Sequence, residues 1–271
     1  MTGRYVVAVD GSRPAAAALR WAVARAATHR IPLVLVHVLE EAQDDDREAA
    51  DDEAAGAGRR LLAETVARLE AEHPELVVTT RLLGGQVPRA LAAFVDEDDL
   101  LVIGTGKTGF LHGRVLGSRS VQIAIAAPCS VAVIPDVDLR FRRGVVAGVD
   151  RRGTAATIAR SAAAEARARG EELLFIQAAP TRETRLNAVD RADLAISEAV
   201  AQARERQPEL VIRSRVAARP AAEALLDSAR DKALLVLGPG SPDAVRSPIG
   251  SVVHDVLLNA NSPVLIIHAA G

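Results

Sequence analysis

The sequence predicts an α/β fold of the doubly wound class, laid down twice along the chain. Three observations carry this. Short runs rich in Val, Leu and Ile alternate with stretches of helical spacing, which is the pattern of parallel strands joined by right-handed helical crossovers. The pattern restarts near Gly144, so the 271 residues read as two copies. Apolar residues make up 49% of the chain and aromatics only 2%, so each core must be built from Ala, Val, Leu and Ile.

Residues 4–10, RYVVAVD, read as a first strand that Gly11 and Ser12 end. Pro14 suits the first turn of a helix, and residues 13–28 place Leu19, Val23 and Ala26 at helical spacing. After Pro32, LVLVHV at 33–38 is a continuous apolar run, which suits a strand buried on both faces. Residues 40–53 hold nine acidic residues against Arg47 alone. A cation or partner site is one reading. A solvated loop running into an acidic helix N-terminus, which the helix dipole favours, is the simpler one. That helix runs to about His73, with Leu62, Val66 and Leu69 on one face. LVVTTRLL at 76–83 is a third strand, Gly84 and Gly85 turn the chain, and 87–95 is a short helix. DLLVIG at 99–104 is the fourth strand. A glycine-rich loop follows, then a helix over about 117–126 and a fifth strand, CSVAVIP. Residues 135–143, PDVDLRFRR, read as a linker; Arg140, Arg142 and Arg143 facing an acidic partner is one reading, and a solvated linker the simpler one.

The second copy retraces this path. GVVAGVD at 144–150 echoes YVVAVD, and 154–169 is an Ala-rich helix. LLFIQAA at 173–179 matches LVLVHV, a polar helix covers about 184–206, and LVIRSRVA at 210–217 matches LVVTTRLL. Pro220 opens a short helix. ALLVLG at 233–238, the glycine- and proline-rich 238–251 and SPVLIIHA at 262–269 complete the repeat. The domains are therefore expected at 1–136 and 143–271.

Composition narrows the function. The net charge is −2 with no basic stripe, and aromatic stacking platforms are lacking, so no nucleic-acid partner is expected. No apolar run is long enough to span a membrane, and MTGRYVVAVDGS does not read as a signal peptide. The single cysteine, Cys129, excludes an internal disulfide, fits a reducing compartment and reads as a small core residue. The cytoplasm is the expected location. The glycine-rich loop between a strand and a helix N-terminus can hold a phosphate chain, because backbone N–H groups and the helix dipole favour an anion there.

VDGS at 9–12, HV at 37–38 and GTGKTGFLHGRVLGS at 104–118 before an APCSVAVIP strand resemble the universal stress protein family, in its tandem form. The resemblance implies a five-stranded parallel sheet of order 3-2-1-4-5 in each domain. It implies an adenine-nucleotide ligand, ATP or else AMP or ADP, with Mg as an accompanying ion. Nucleotide-binding members carry a glycine, two residues, a glycine, nine residues, then Gly-Ser or Gly-Thr. By position, Asp10 would meet the base or ribose edge, and Val38 would pack on the adenine. Gly104, Gly117, Ser118 and Val121 would lie along ribose and phosphates. The family's second glycine is Lys107 here, with Gly106 and Gly109 on either side, and Lys107 can reach a phosphate as a point charge. Partner domains of the family pair through their fifth strands, which here means pairing within the chain or in a homodimer.

The second copy keeps Asp150, Gly238, Gly240, Gly250 and Ser251. Its loop is one residue shorter and contains Pro239, Pro242 and Pro248, which lack N–H donors, and Asp243, which would repel phosphate. It reads as a degenerate site.

Other motifs fail. GKT at 106–108 lacks the P-loop glycine, because Leu101 stands in its place. The histidines at 29, 37, 73, 112, 254 and 268 form no metal-binding pair, so no metal site is expected. His37 and His268 read as hydrogen-bonded structural imidazoles, and His112 lies in the glycine loop. No catalytic base and metal-ligand pair is recognisable beside the loop, so a slow ATPase ranks below a binding protein. A nucleotide-free scaffold acting through dimerisation or partner binding is the alternative.

Overall fold

The computed structural model describes residues 3–40, 47–106, 118–150, 154–178, 185–240 and 250–268. The chain divides into two compact units, Met1–Asp136 and Val137–Ala269.

The first unit runs β1 (Tyr5–Ala8), α1 (Arg13–His29), β2 (Leu33–Leu39), α2 (Arg47–Glu72), β3 (Val78–Gly84), α3 (Val87–Phe94), β4 (Leu100–Thr105), α4 (Ser118–Ala126) and β5 (Ser130–Pro135). All its strands are parallel, in the order β3-β2-β1-β4-β5. The second unit repeats this with β6 (Val145–Gly148), α5 (Ala155–Arg169), β7 (Leu173–Ala178), α6 (Arg185–Arg206), β8 (Ile212–Ala217), α7 (Ala221–Ala229), β9 (Leu234–Leu237), α8 (Ser251–Asn259) and β10 (Val264–Ile266). Its order is β8-β7-β6-β9-β10, again parallel. The 3-2-1-4-5 order implied by the resemblance is present in both units.

The continuous apolar runs lie at the centres of the sheets, where helices cover both faces. Val6, Val7, Leu33, Leu35, Leu101 and Val102 are wholly buried, as are Val146, Leu173, Phe175, Leu235 and Val236 in the second unit. β3 and β8 each have a single strand neighbour within their unit, and they carry the polar alternation that this requires (Thr79 and Arg81; Arg213 and Arg215). The alanines of α1 bury Ala15, Ala18, Ala22 and Ala26 against the sheet, and small side chains bring that helix close.

Two expectations need amending. The first strand was expected over 4–10, but its ladder ends at Ala8. Val9 adds one more bond, from its N–H to Val36 O at 2.8 Å, and Asp10 then turns away. Arg142 is not a solvated linker residue. Its guanidinium donates to Asn261 O and to Ser262 Oγ, fastening the stretch after Val137 onto the second unit. Arg140 does lie in solvent, folded onto Asp138 at 2.7 Å. Of the acidic stretch, residues 41–46 lie outside the described part of the chain, while Asp52 and Glu53 are exposed on α2.

Candidate functional site

The first unit builds its site from a turn. Asp10 Oδ1 accepts the N–H of Ser12 at 2.9 Å, and Gly11 takes φ +78°, a conformation that favours glycine. Ser12 Oγ then accepts the N–H of Ala15 at 3.2 Å and caps α1. The Asp10 carboxylate is left exposed at the carboxyl end of β1. The β1–β2 register ends with Ala8 beside Val36, so Asp10 follows the end of β1 next to the last residues of β2, which include half-buried Val38. The β1–β4 register, Val7 beside Val102, puts Gly104 level with Val9. Asp10, Val38 and Gly104 thus gather at the carboxyl ends of three adjacent strands, where open α/β sheets take ligands.

Gly104 has a packing reason of its own. A Cβ there would lie 2.3 Å from the backbone carbonyl of Pro14, so glycine lets the first turn of α1 rest on the end of β4. Gly106 is less constrained, with Pro14 Cγ 3.4 Å from where its Cβ would be. Val121 is buried on α4, 5% exposed. Ser118 opens α4, and its side chain, like Lys107, Gly109, His112 and Gly117, lies outside the described residues.

His37 supports the turn from below. Its Nδ1 lies 2.7 Å from Val9 O, so that nitrogen carries the proton, and Gly58 of α2 packs against the ring. This is the structural imidazole the strand position suggested. Cys129 is fully buried, and burial pushes its thiol up to about 11, which suits a core residue and not a nucleophile.

Sequence reasoning missed one pair. Arg119, in the first turn of α4, places Nη2 3.1 Å from Glu40 Oε1, just past β2. The only cue was a cation directly after Gly-Ser.

The second unit arranges its counterparts differently. Asp150 is half-buried at the end of β6. Gly238 is tight against a side chain only, since a Cβ there would lie 2.9 Å from Ile158 Cδ1 and 3.5 Å from Thr154 Oγ1, so the Ile158 tip would have to shift. Gly240 sits at φ +78°, and a Cβ there would lie 2.9 Å from Gly250 Cα. Gly250 N–H, at the start of α8, donates to Pro239 O at 3.0 Å. The base of this loop is therefore pinched shut on itself, and a donor suited to a phosphate is used internally. Ser251 is exposed in the first turn of α8, while residues 241–249, with Pro242, Asp243 and Pro248, lie outside the described part.

Among the described residues, no three His, Cys, Asp or Glu side chains gather as a metal site. Among them too, no helix is long and apolar enough to cross a membrane.

The Universal stress protein family matches residues 1–135 and again 142–268. Universal stress protein Rv2005c of Mycobacterium tuberculosis is 29% identical over 296 residues, covering 96% of this chain and 95% of that one. A solved universal stress protein from Archaeoglobus fulgidus superposes with a TM-score of 0.75 over 100% of both chains at 17% identity, a likeness of fold. A smaller universal stress protein from Archaeoglobus fulgidus, solved in complex with dAMP, is 28% identical over 47% of this chain and 99% of its own, with a TM-score of 0.40. The chain belongs to the universal stress protein family, as a tandem of two family domains.

Proposed function

We propose that this universal stress protein binds an adenine nucleotide in its first unit and serves as a stress-response or regulatory protein whose state the nucleotide sets. ATP is the ligand put forward, with AMP and ADP as the smaller forms and Mg carried on the phosphates. The observation that supports this most is the meeting of Asp10, Val38 and Gly104 at the carboxyl ends of β1, β2 and β4, beside the loop that runs into α4.

The residues present fit such a ligand chemically. Asp10 can accept a hydrogen bond from a ribose hydroxyl or a base amino group, and its turn holds it outward. Val38 offers an apolar face for adenine. The backbone from Gly104 to Ser118, and the N-terminus of α4, would hold the phosphates through N–H groups and the helix dipole. Lys107, Gly109 and Gly117 belong to the same proposal. A magnesium ion would keep its waters and phosphate ligands, as that ion does without a dedicated cage of carboxylates. Binding needs no hydrolysis, and the reading assigns none.

The second unit offers Asp150, Gly238, Gly240, Gly250 and Ser251, but with Gly250 N–H engaged by Pro239 O the scaffold reading suits it better. The family's pairing through fifth strands is carried over on the same footing. Sedimentation separates its two forms, a monomer of 28.5 kDa or a dimer.

The test is titration of Asp10→Ala with ATP. Affinity should fall by about 1–3 kcal/mol, the cost of one hydrogen bond to a charged group. Unchanged affinity would remove Asp10 from the site.

A further inference from the structure

Glu40 and Arg119 come from opposite sides of the cleft. Arg119 Nη2 lies 3.1 and 3.3 Å from the two Glu40 oxygens. In the sheet β1 lies between β2 and β4. The bond joins the residue after β2 to the first turn of α4, the helix that follows β4, so it links the carboxyl ends of the two strands that flank β1. Both side chains are largely exposed, 63% for Arg119 and 54% for Glu40, so the pair is weakly held and exchanges readily. A guanidinium fork fits phosphate oxygens as well as it fits a carboxylate. At the start of a helix it adds to a field that already favours an anion.

The duplication supplies an independent control. Gly117-Ser118-Arg119 corresponds to Gly250-Ser251-Val252, and Val38-Leu39-Glu40 to Ala178-Ala179-Pro180. Both charges are missing in the unit where Gly250 N–H is engaged by Pro239 O, and both are present in the unit whose Asp-Gly-Ser turn is intact.

We propose that Arg119 is a phosphate-binding cation of the first-unit site, in addition to Lys107, and that Glu40 holds its place until a phosphate-bearing nucleotide draws it away. Arg119 then makes the site select nucleotides over nucleosides, and Glu40 sets the threshold by competing for it. This rests on the adenine-nucleotide reading of the cleft.

The experiment titrates wild type, Arg119→Gln and Glu40→Gln with adenosine, AMP and ATP, at low and raised salt. Arg119→Gln should weaken AMP and ATP about tenfold and leave adenosine unchanged. Glu40→Gln should tighten AMP and ATP about threefold, again sparing adenosine. Both differences should shrink as salt screens the charges. Arg119→Gln binding AMP as wild type does, or losing adenosine and AMP alike, would overturn the proposal while leaving the adenine-nucleotide reading intact. Wild type binding none of the three would overturn both.

Discussion

In the first unit Asp10, Gly11 and Ser12 make one tight turn that presents a carboxylate and caps α1. In the second the chain reads Asp150, Arg151, Arg152, Gly153, Thr154, and Thr154 makes no side-chain cap for α5. The glycine loops diverge in the same direction. Gly104 rests on the backbone of α1, whereas Gly240 and Gly250 close on each other. Yet the strand order, the parallel ladders and the buried apolar runs are alike in both units. The comparison teaches that the apolar runs fix the fold, while the donors at the carboxyl ends can drift without disturbing it.

The opposite ends of the sheets differ too, and there the largest effect is expected. Asp99 is 3% exposed, accepts the N–H groups of Arg4 and Asp96, and pairs with the Arg4 guanidinium at 2.9 Å. The second unit uses Lys232 and Glu172 at 3.4 Å, both partly exposed. Asp99→Ala should cost the first unit about 3 kcal/mol, because it strands buried donors and a cation. Lys232→Ala should cost the second under about 1 kcal/mol. Urea unfolding reads the first effect cleanly through Trp21, the single tryptophan, which lies on α1 with the Arg25 guanidinium 5.6 Å from its ring centre. Equal costs would mean the two charge clusters are equivalent.

Matched glycines come next. Gly104→Ala drives a Cβ to within 2.3 Å of Pro14 backbone and should cost about 2 kcal/mol. Gly238→Ala clashes with the flexible tip of Ile158 alone, Thr154 Oγ1 lying at an ordinary 3.5 Å, and should stay within about 1 kcal/mol, since one rotamer shift relieves it. Circular dichroism together with Trp21 fluorescence separates the two units, and the reverse ranking would break the packing argument.

The smallest effect concerns Cys129 and its counterpart Ser262. Ser262 is tied into the second unit by Arg142 and by donating to Ala229 O, whereas Cys129 is a buried thiol pushed up to about 11. Raising the thiol's value depletes the reactive thiolate at pH 8. A disulfide reagent should therefore find no reactive thiol in the folded chain and one per chain after denaturation. Rapid labelling of the folded protein would show that the β5 end opens.

Strand identity was legible because the apolar runs are long and the repeat shows each twice, whereas the strand order came from the family resemblance. The break at Gly11 and Ser12 was legible locally, but the turn that Asp10 makes with Ser12 N–H was not. The packing duty of Gly104 was not, because it depends on where Pro14 arrives from 90 residues earlier in the chain. Arg142 was read as solvated because its neighbours Arg140 and Arg143 disguised it. Nothing local indicates that Asn261 and Ser262 receive it. The Glu40–Arg119 pair joins residues 79 apart, beyond any periodic signal. In the second unit the prolines pointed to a poor phosphate cradle, but the bond that consumes Gly250 N–H appears only in three dimensions.

The most direct test of the asymmetry is calorimetric titration of the intact chain with ATP, counting sites. One nucleotide per chain, bound about 1–3 kcal/mol more weakly in Asp10→Ala and unchanged in Asp150→Ala, is the predicted result. Two per chain, or an affinity unchanged in Asp10→Ala and lowered in Asp150→Ala, would contradict the account.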